Sequence, residues 1–273
     1  MRRHIMYEWL FAGLIVFLAS ALQASTGFGF AIMATPFLLM IFDSRDCIQL
    51  SIFLSLFIAL VLTPKLKQQI DHSLLKRLIQ GSIWGAPIGI VFFAFVSLEI
   101  LKAAVSVAIL VIGSFLLYQW YQYYYPRAEK TKEITEVDAL EIKRRQENNC
   151  VKGQKSEFLV GLLSGALTTS LGMPGVPLAI YFSARNIKKE VIRSTTLAFF
   201  IVVYLFSILL QVFTVDISVD VLRLTLYLIP TAAAGIFLGN MMFQKLDQRK
   251  FQLIVNLILL YTGLHLFYKT MLA

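Results

Sequence analysis

Residues 168–177 read Thr-Thr-Ser-Leu-Gly-Met-Pro-Gly-Val-Pro, and residues 25–29 read Ser-Thr-Gly-Phe-Gly, with Pro36 following. Each cluster sits inside a long apolar stretch and concentrates the residues that interrupt a helix: glycine, which accepts left-handed backbone, and proline, which lacks an N–H. Unwound backbone at membrane depth persists only where it is buried in protein or lines a cavity, because lipid offers its polar groups no partner. Paired interruptions at corresponding places in two halves of a chain mark the binding site of a transporter.

Composition supplies the setting. Of 273 residues, 58% are hydrophobic and 15% are charged, and mean hydropathy is +0.73; a soluble domain carries about 25% charged residues. The chain reads as an all-α polytopic membrane protein. Spans of ~20 apolar residues are expected at residues 47–63, 73–96 and 99–121, and again at 190–214, 219–243 and 249–270. Two further apolar stretches, about 7–42 and 157–184, hold the breaks. The 27 residues from Phe158 to Ala184 make two arms of roughly 20 Å, too short for two crossings of ~30 Å. A helical hairpin broken near Gly172 to Pro177 is therefore expected, and a second broken near Ser25 to Gly29.

The halves are residues 1–125 and 157–273, joined by a charged linker, 126–156, in which Ile134, Val137 and Leu140 recur at a weak helical spacing. Adding 150 maps Gly85 on Gly235, Gly89 on Gly239, Val105 on Val255 and Gly113 on Gly263, the signature of a duplicated unit. Nearer the start the register changes, with Gly29 on Gly172 and Gln49 opposite Arg193. Basic loops belong on the cytoplasmic side. With the linker and the Lys65–Arg77 and Arg185–Arg193 loops inside, the two hairpins enter from opposite faces. The expected fold is thus two inverted-topology repeats, each a broken hairpin followed by three transmembrane helices. Arg2 and Arg3 run against that arrangement, since it places them outside.

Several function classes find no support. The apolar N-terminal stretch outruns a signal-peptide h-region. Cys47 and Cys150 make neither a disulfide framework nor a metal site, and HExxH, GxSxG and P-loop patterns do not occur. No enzyme activity, cofactor or metal is expected, and the net charge of +9 belongs to loops at the bilayer rather than to a nucleic-acid surface. Tyr118, Trp120, Tyr121, Tyr123, Tyr124 and Tyr125 read as an interfacial belt. Gly81, Gly85, Gly89, Gly235 and Gly239 read as helix-packing positions, and His265 as a packing residue.

The breaks carry the chemistry. Thr35 can cap a helix whose first residue is Pro36, leaving the next amides free for a ligand, and Pro174 and Pro177 sit in a second candidate first turn. Helix N-termini carry about +0.5 of a charge and bind anions. Gly27, Gly29, Gly172 and Gly175 allow close backbone approach. Gln23, Ser25, Thr26, Thr168, Thr169 and Ser170 add polar side chains, and Arg193 can attract an anion or snorkel to the interface.

The segment Gly27–Pro36, the run Gly161-Leu162-Leu163-Ser164-Gly165 leading to Gly172–Pro177, and Lys189–Thr196 together resemble the sulfite exporter TauE/SafE family of membrane permeases. The resemblance covers nearly the whole chain outside the linker; Phe28 and Ala31 stand where more glycine is common. It implies a multi-pass plasma-membrane transporter, commonly an exporter, of sulfite, sulfoacetate or related organosulfonates, working by alternating access around an anion site between the hairpins. A coupling proton or sodium ion and a homo-oligomer are compatible with it. The alternatives are a transporter of another small organic or inorganic anion, and a non-transporting membrane scaffold whose glycines serve packing alone.

Overall fold

The structure, a computed structural model, describes residues 2–124, 136–183, 185, 187–245 and 260–268. It is helical throughout, with no strand among the described residues: α1 (Arg2–Thr26), α2 (Phe30–Phe42), α3 (Asp46–Leu62), a 3-10 turn (Thr63–Gln69), α4 (His72–Phe95), α5 (Leu98–Tyr124), α6 (Glu136–Leu171), α7 (Gly175–Ser183), α8 (Lys189–Thr214) and α9 (Val219–Lys245). Residues 260–268 are also helical. They are the described part of the span expected at 249–270. Among the described residues, six segments are long and apolar enough to cross a bilayer: Trp9–Thr26, Asp46–Gln69, His72–Phe95, Leu98–Phe115, Lys189–Thr214 and Val219–Met241. Phe213 is 78% exposed and Phe237 71%, an outer surface that only lipid can cover favourably. The chain is an all-α membrane protein.

Two seams of small residues fix the architecture. Along α4, Gly81, Gly85 and Gly89 lie on the backbone of Phe158, Leu162 and Ala166 of α6, while Gly161 and Gly165 of α6 lie on Leu78 and Ser82 of α4. Along α9, Gly235 and Gly239 lie on Phe17 and Ala21 of α1. Residue numbers rise together in each seam, so α4 runs parallel to α6 and α1 to α9. Backbone-to-backbone approach replaces side-chain interdigitation here, the means by which membrane helices gain packing when lipid cancels the hydrophobic drive.

Loop contacts bring the helix ends into register. The Ser194 hydroxyl donates to Gln69 O (2.8 Å) and Thr195 Oγ1 accepts from the Asp71 amide (3.0 Å), setting the start of α8 beside the start of α4. Asp71 caps α4 by accepting from the Ser73 and Leu74 amides, both at 3.0 Å, worth about 1 kcal/mol. At the other face Gln49 donates to Asp216 O (3.1 Å). Arg45 donates to Phe93 O, Ala94 O and Val96 O, closing the carbonyl end of α4 with a cation as the helix dipole favours.

α7 folds back on α6. Glu157 of α6, 7% exposed, accepts from the Tyr181 hydroxyl at 2.8 Å and pairs with Arg77 of α4 at 3.0 Å. Arg185 stands 3.7 Å from the same carboxylate and lies over the Tyr181 ring. One carboxylate thus ties both arms of the hairpin to α4. α2 folds back on α1 through aromatic contacts: the Trp9 ring stands edge-on to Phe42 at 6.3 Å and to Tyr227 of α9 at 6.4 Å. Glu157→Gln keeps an acceptor for Tyr181 but removes both ion pairs. Because the Arg77 side chain is 32% exposed, water screens part of the pair. The variant should therefore lose about 1–2 kcal/mol, read as a lower melting midpoint of the purified protein.

Some expectations land differently. α6 begins at Glu136, so the described part of the linker continues straight into the hairpin arm as one 36-residue helix; Ile134 lies outside the described residues. Tyr118 and Tyr121 are 58% and 57% exposed, while the side chains of the other four belt residues lie outside the described set. Cys47 is buried, its thiol donating to Leu38 O at 3.3 Å. His265 faces outward against Tyr261.

Candidate functional site

Both breaks are built on the same helix ending. Gly27, with φ +89°, donates its N–H to Gln23 O at 2.8 Å, and Gly172, with φ +73°, donates to Thr168 O at 2.9 Å. Each is a left-handed C-terminal glycine whose amide closes the last turn. Gly29, at φ +120°, then starts α2, with Met33 N–H donating to Gly29 O at 3.0 Å. In the second break α7 starts at Gly175 directly after Pro174. Pro177 removes one donor from its first turn, leaving the Gly175 and Val176 amides outside the helix's own ladder.

One expectation is corrected here. Thr35 and Pro36 do not begin a helix; α2 starts at Phe30 and carries Pro36 in its interior. Two glycines already supply the break, and neighbouring helices let a membrane helix absorb the proline. The amides offered at this terminus are therefore those of Phe30 to Ile32. Thr35 is fully buried and its hydroxyl has no protein partner.

The register between the breaks also shifts. A Cβ on Gly27 would meet Arg193 Cα at 2.8 Å, and one on Gly172 would meet Ile48 O at 3.4 Å. Gly27 and Gly172 thus play like parts, each against the first turns of a following helix, α8 at Arg193 and α3 at Ile48. Ser194 and Gln49 then match as well, each donating to a carbonyl just ahead of α4 or α9. The sequence offered two glycines, Gly27 and Gly29, for one position.

The breaks touch. A Cβ on Gly175 would meet Phe28 Cβ at 3.3 Å, and Ile32 Cδ1 and Phe200 Cζ at 3.6 Å each. Phe200 packs on Tyr204 at 5.3 Å between centroids. Tyr204, fully buried, lies against Ser55, and the Gln23 amide donates to Ser55 O at 3.3 Å. Gln23 Oε1 is buried without a protein partner. Gly27 and Phe28 are consecutive, so a two-residue step leads from Arg193 to the N-terminus of α7. Arg193 is 6% exposed and donates to Asn240 Oδ1 of α9 at 2.7 Å.

The hydroxyls divide. Ser25 donates to Leu22 O, Thr168 to Ser164 O and Ser170 to Ala166 O, each within its own helix. Thr169 donates to Ala86 O of α4 at 2.8 Å. Apolar surroundings drive such bonds to backbone carbonyls. Only Thr26 stands at a break itself, accepting from the Phe28 amide at 3.3 Å and donating to Leu22 O at 2.8 Å. Asn240, Ser55, Tyr204 and Phe200 escaped the sequence reading. Asn240 carried a usable signal, an amide inside an apolar span.

A model of the sulfite exporter TauE/SafE family matches residues 12–266. The chain belongs to the TauE/SafE family. Neither the curated proteins nor the solved structures gave a match. The family match spans both breaks, both glycine seams and Arg193. TauE/SafE proteins are membrane transporters of sulfite and related sulfur anions, and this one is a membrane permease of that family. Helix N-termini and guanidinium groups are the donors to which anions bind in general.

Proposed function

We propose that the protein moves a small sulfur oxyanion, sulfite or an organosulfonate, across the plasma membrane by alternating access, with the anion held where the two breaks meet. One observation carries this reading: Gly27 and Phe28 of the first break lie between Arg193 and the first turn of α7. The Gly175 and Val176 amides, the Thr35 hydroxyl and the Arg193 guanidinium replace the anion's hydration shell. Asn240 orients the guanidinium.

We infer further that the halves are inverted copies. The reading is supported by reciprocal packing: the first hairpin arm of each half lies parallel to the fourth helix of the other, and each left-handed glycine sits against the first turns of the other half's third helix. Lys65, Lys67, Lys76, Arg77, Arg185, Lys188 and Lys189 share the face where α4 and α8 begin, which the positive-inside trend makes cytoplasmic. Exchange of access then requires each hairpin to tilt against the opposite half while its glycine seam persists as the pivot.

The test is flux in proteoliposomes of the purified protein, for sulfite, sulfoacetate, other sulfonates, sulfate and chloride, with and without proton or sodium gradients. Sulfite or a sulfonate should move fastest. Gly27→Ala places a side chain at φ +89° and on the Arg193 backbone; left-handed backbone alone costs about 1–2 kcal/mol, and flux should fall about tenfold or more. Failure of every sulfur anion to move, or wild-type flux in Gly27→Ala, contradicts the proposal.

A further inference from the structure

We propose that the cleft between α4 and α6 at the basic face is a binding site for the headgroup of an anionic phospholipid. The cleft is an open groove of about 470 Å³, lined by Arg77 and Gln80 of α4 and by Gln154, Lys155, Phe158 and Leu159 of α6. Its upper wall carries two cations and two amide side chains, a donor set for a phosphate. Its lower wall is apolar. Leu159 is 56% exposed, and the same helix faces continue into exposed Leu163, Ile83 and Trp84, the last 70% exposed. Headgroup donors above and bare apolar surface below match the two ends of one lipid rather than a free oxyanion, which would need no apolar floor.

Charge in the cleft is positive after internal pairing. Arg77 gives part of its charge to Glu157, but Arg185 also faces Glu157, so the cluster of Arg77, Arg185 and Glu157 keeps one positive charge and Lys155 adds another. The corresponding place on the other seam differs. There Trp9 of α1 packs on Tyr227 of α9, and the neighbouring Leu10, Gly13, Leu14 and Pro230 carry no charge. The charged cleft is a feature of one seam, on the face whose leaflet would present anionic lipid. Bound there, the headgroup bridges α4 and α6 beside the carboxylate that closes the second hairpin.

The experiment uses the full-length protein in neutral detergent micelles, titrated with phosphatidylglycerol or phosphatidylcholine, with retained lipid counted by native mass spectrometry. It does not depend on transport. Wild type should retain phosphatidylglycerol in preference to phosphatidylcholine. Lys155→Gln should weaken that retention about fivefold, the worth of one basic residue near an anionic headgroup, and Lys155→Glu more; Lys155→Arg should preserve it. Lys155 is on the surface, so all three should melt as wild type does. Inorganic phosphate and glycerol phosphate should not displace the lipid. Equal retention of the two lipids, wild-type retention by Lys155→Glu, or displacement by inorganic phosphate as effective as by lipid overturns the proposal, the last in favour of a free-oxyanion site.

Discussion

Gly85→Ala should separate α4 from α6 and cost the protein much of its stability. A methyl group there would fall on the Leu162 carbonyl, with its carbon at 2.7 Å and the Ala166 nitrogen at 3.0 Å. The obstacle is helix backbone, which cannot swing aside as a side-chain tip can. Relief requires the helices to move apart, and the neighbouring contacts at Gly81, Gly89, Gly161 and Gly165 open with them. Overpacking typically costs 1–3 kcal/mol, and a rigid seam belongs at or above the upper end, so about 3 kcal/mol is expected. Gly235→Ala should behave similarly, since its Cβ would fall on Phe17 O and within 2.7 Å of Ser20 Cβ. Gly13→Ala is the control: its Cβ meets only Thr231 Cγ2, at 3.7 Å, and it should stay within about 0.5 kcal/mol of wild type. Melting midpoints and the monodisperse fraction in detergent read all three. Equal behaviour of Gly85→Ala and Gly13→Ala would mean that the seams do not hold the halves together.

Arg193→Gln should cut transport about 100-fold while the protein still folds. Arg193 is buried, its backbone and Cγ lie against Gly27 of the first break, and its guanidinium donates to Asn240, while Ile48 is the residue beside Gly172. Removing the cation that pairs with a buried, hydrogen-bonded anion costs about 2–5 kcal/mol, so anion flux should drop about 100-fold. Arg193→Lys keeps the charge but loses the planar fork and should retain about a tenth of the flux. Asn240→Ala leaves the charge and removes its orientation, for a fall of about tenfold. A purely structural arginine would lower the melting midpoint in all three variants and would not order their fluxes by charge.

These residues also show what a sequence can display of such a site. Gly27, Gly29, Gly172 and Pro174 are visible because a helix break is a local event, decided by backbone that two or three residues permit. The membrane class is visible for the same reason, as long apolar runs decide it. Pro36 misled because proline at the first helical position is the common case; here Gly29 had already begun α2, and neighbouring helices absorb an interior proline. The hydroxyls misled because composition does not show where a hydroxyl points, and in an apolar bundle Ser170 and Thr168 turn to their own carbonyls. Arg193 with Asn240, and Glu157 with Arg77, join residues far apart in the chain. Only packing reveals those pairs, and they give the two breaks different electrostatics although their backbones end alike.

Crystals of the protein grown with selenite provide the most direct measurement, since selenite has the shape and charge of sulfite and a selenium atom that scatters anomalously. The anomalous map should show one peak between the two breaks, within hydrogen-bonding distance of the Arg193 guanidinium and the Gly175 and Val176 amides, and Arg193→Gln should remove it. Selenite that competes with sulfite for flux yet gives its peak elsewhere, or a peak that survives in Arg193→Gln, would contradict an anion site held between the two hairpins.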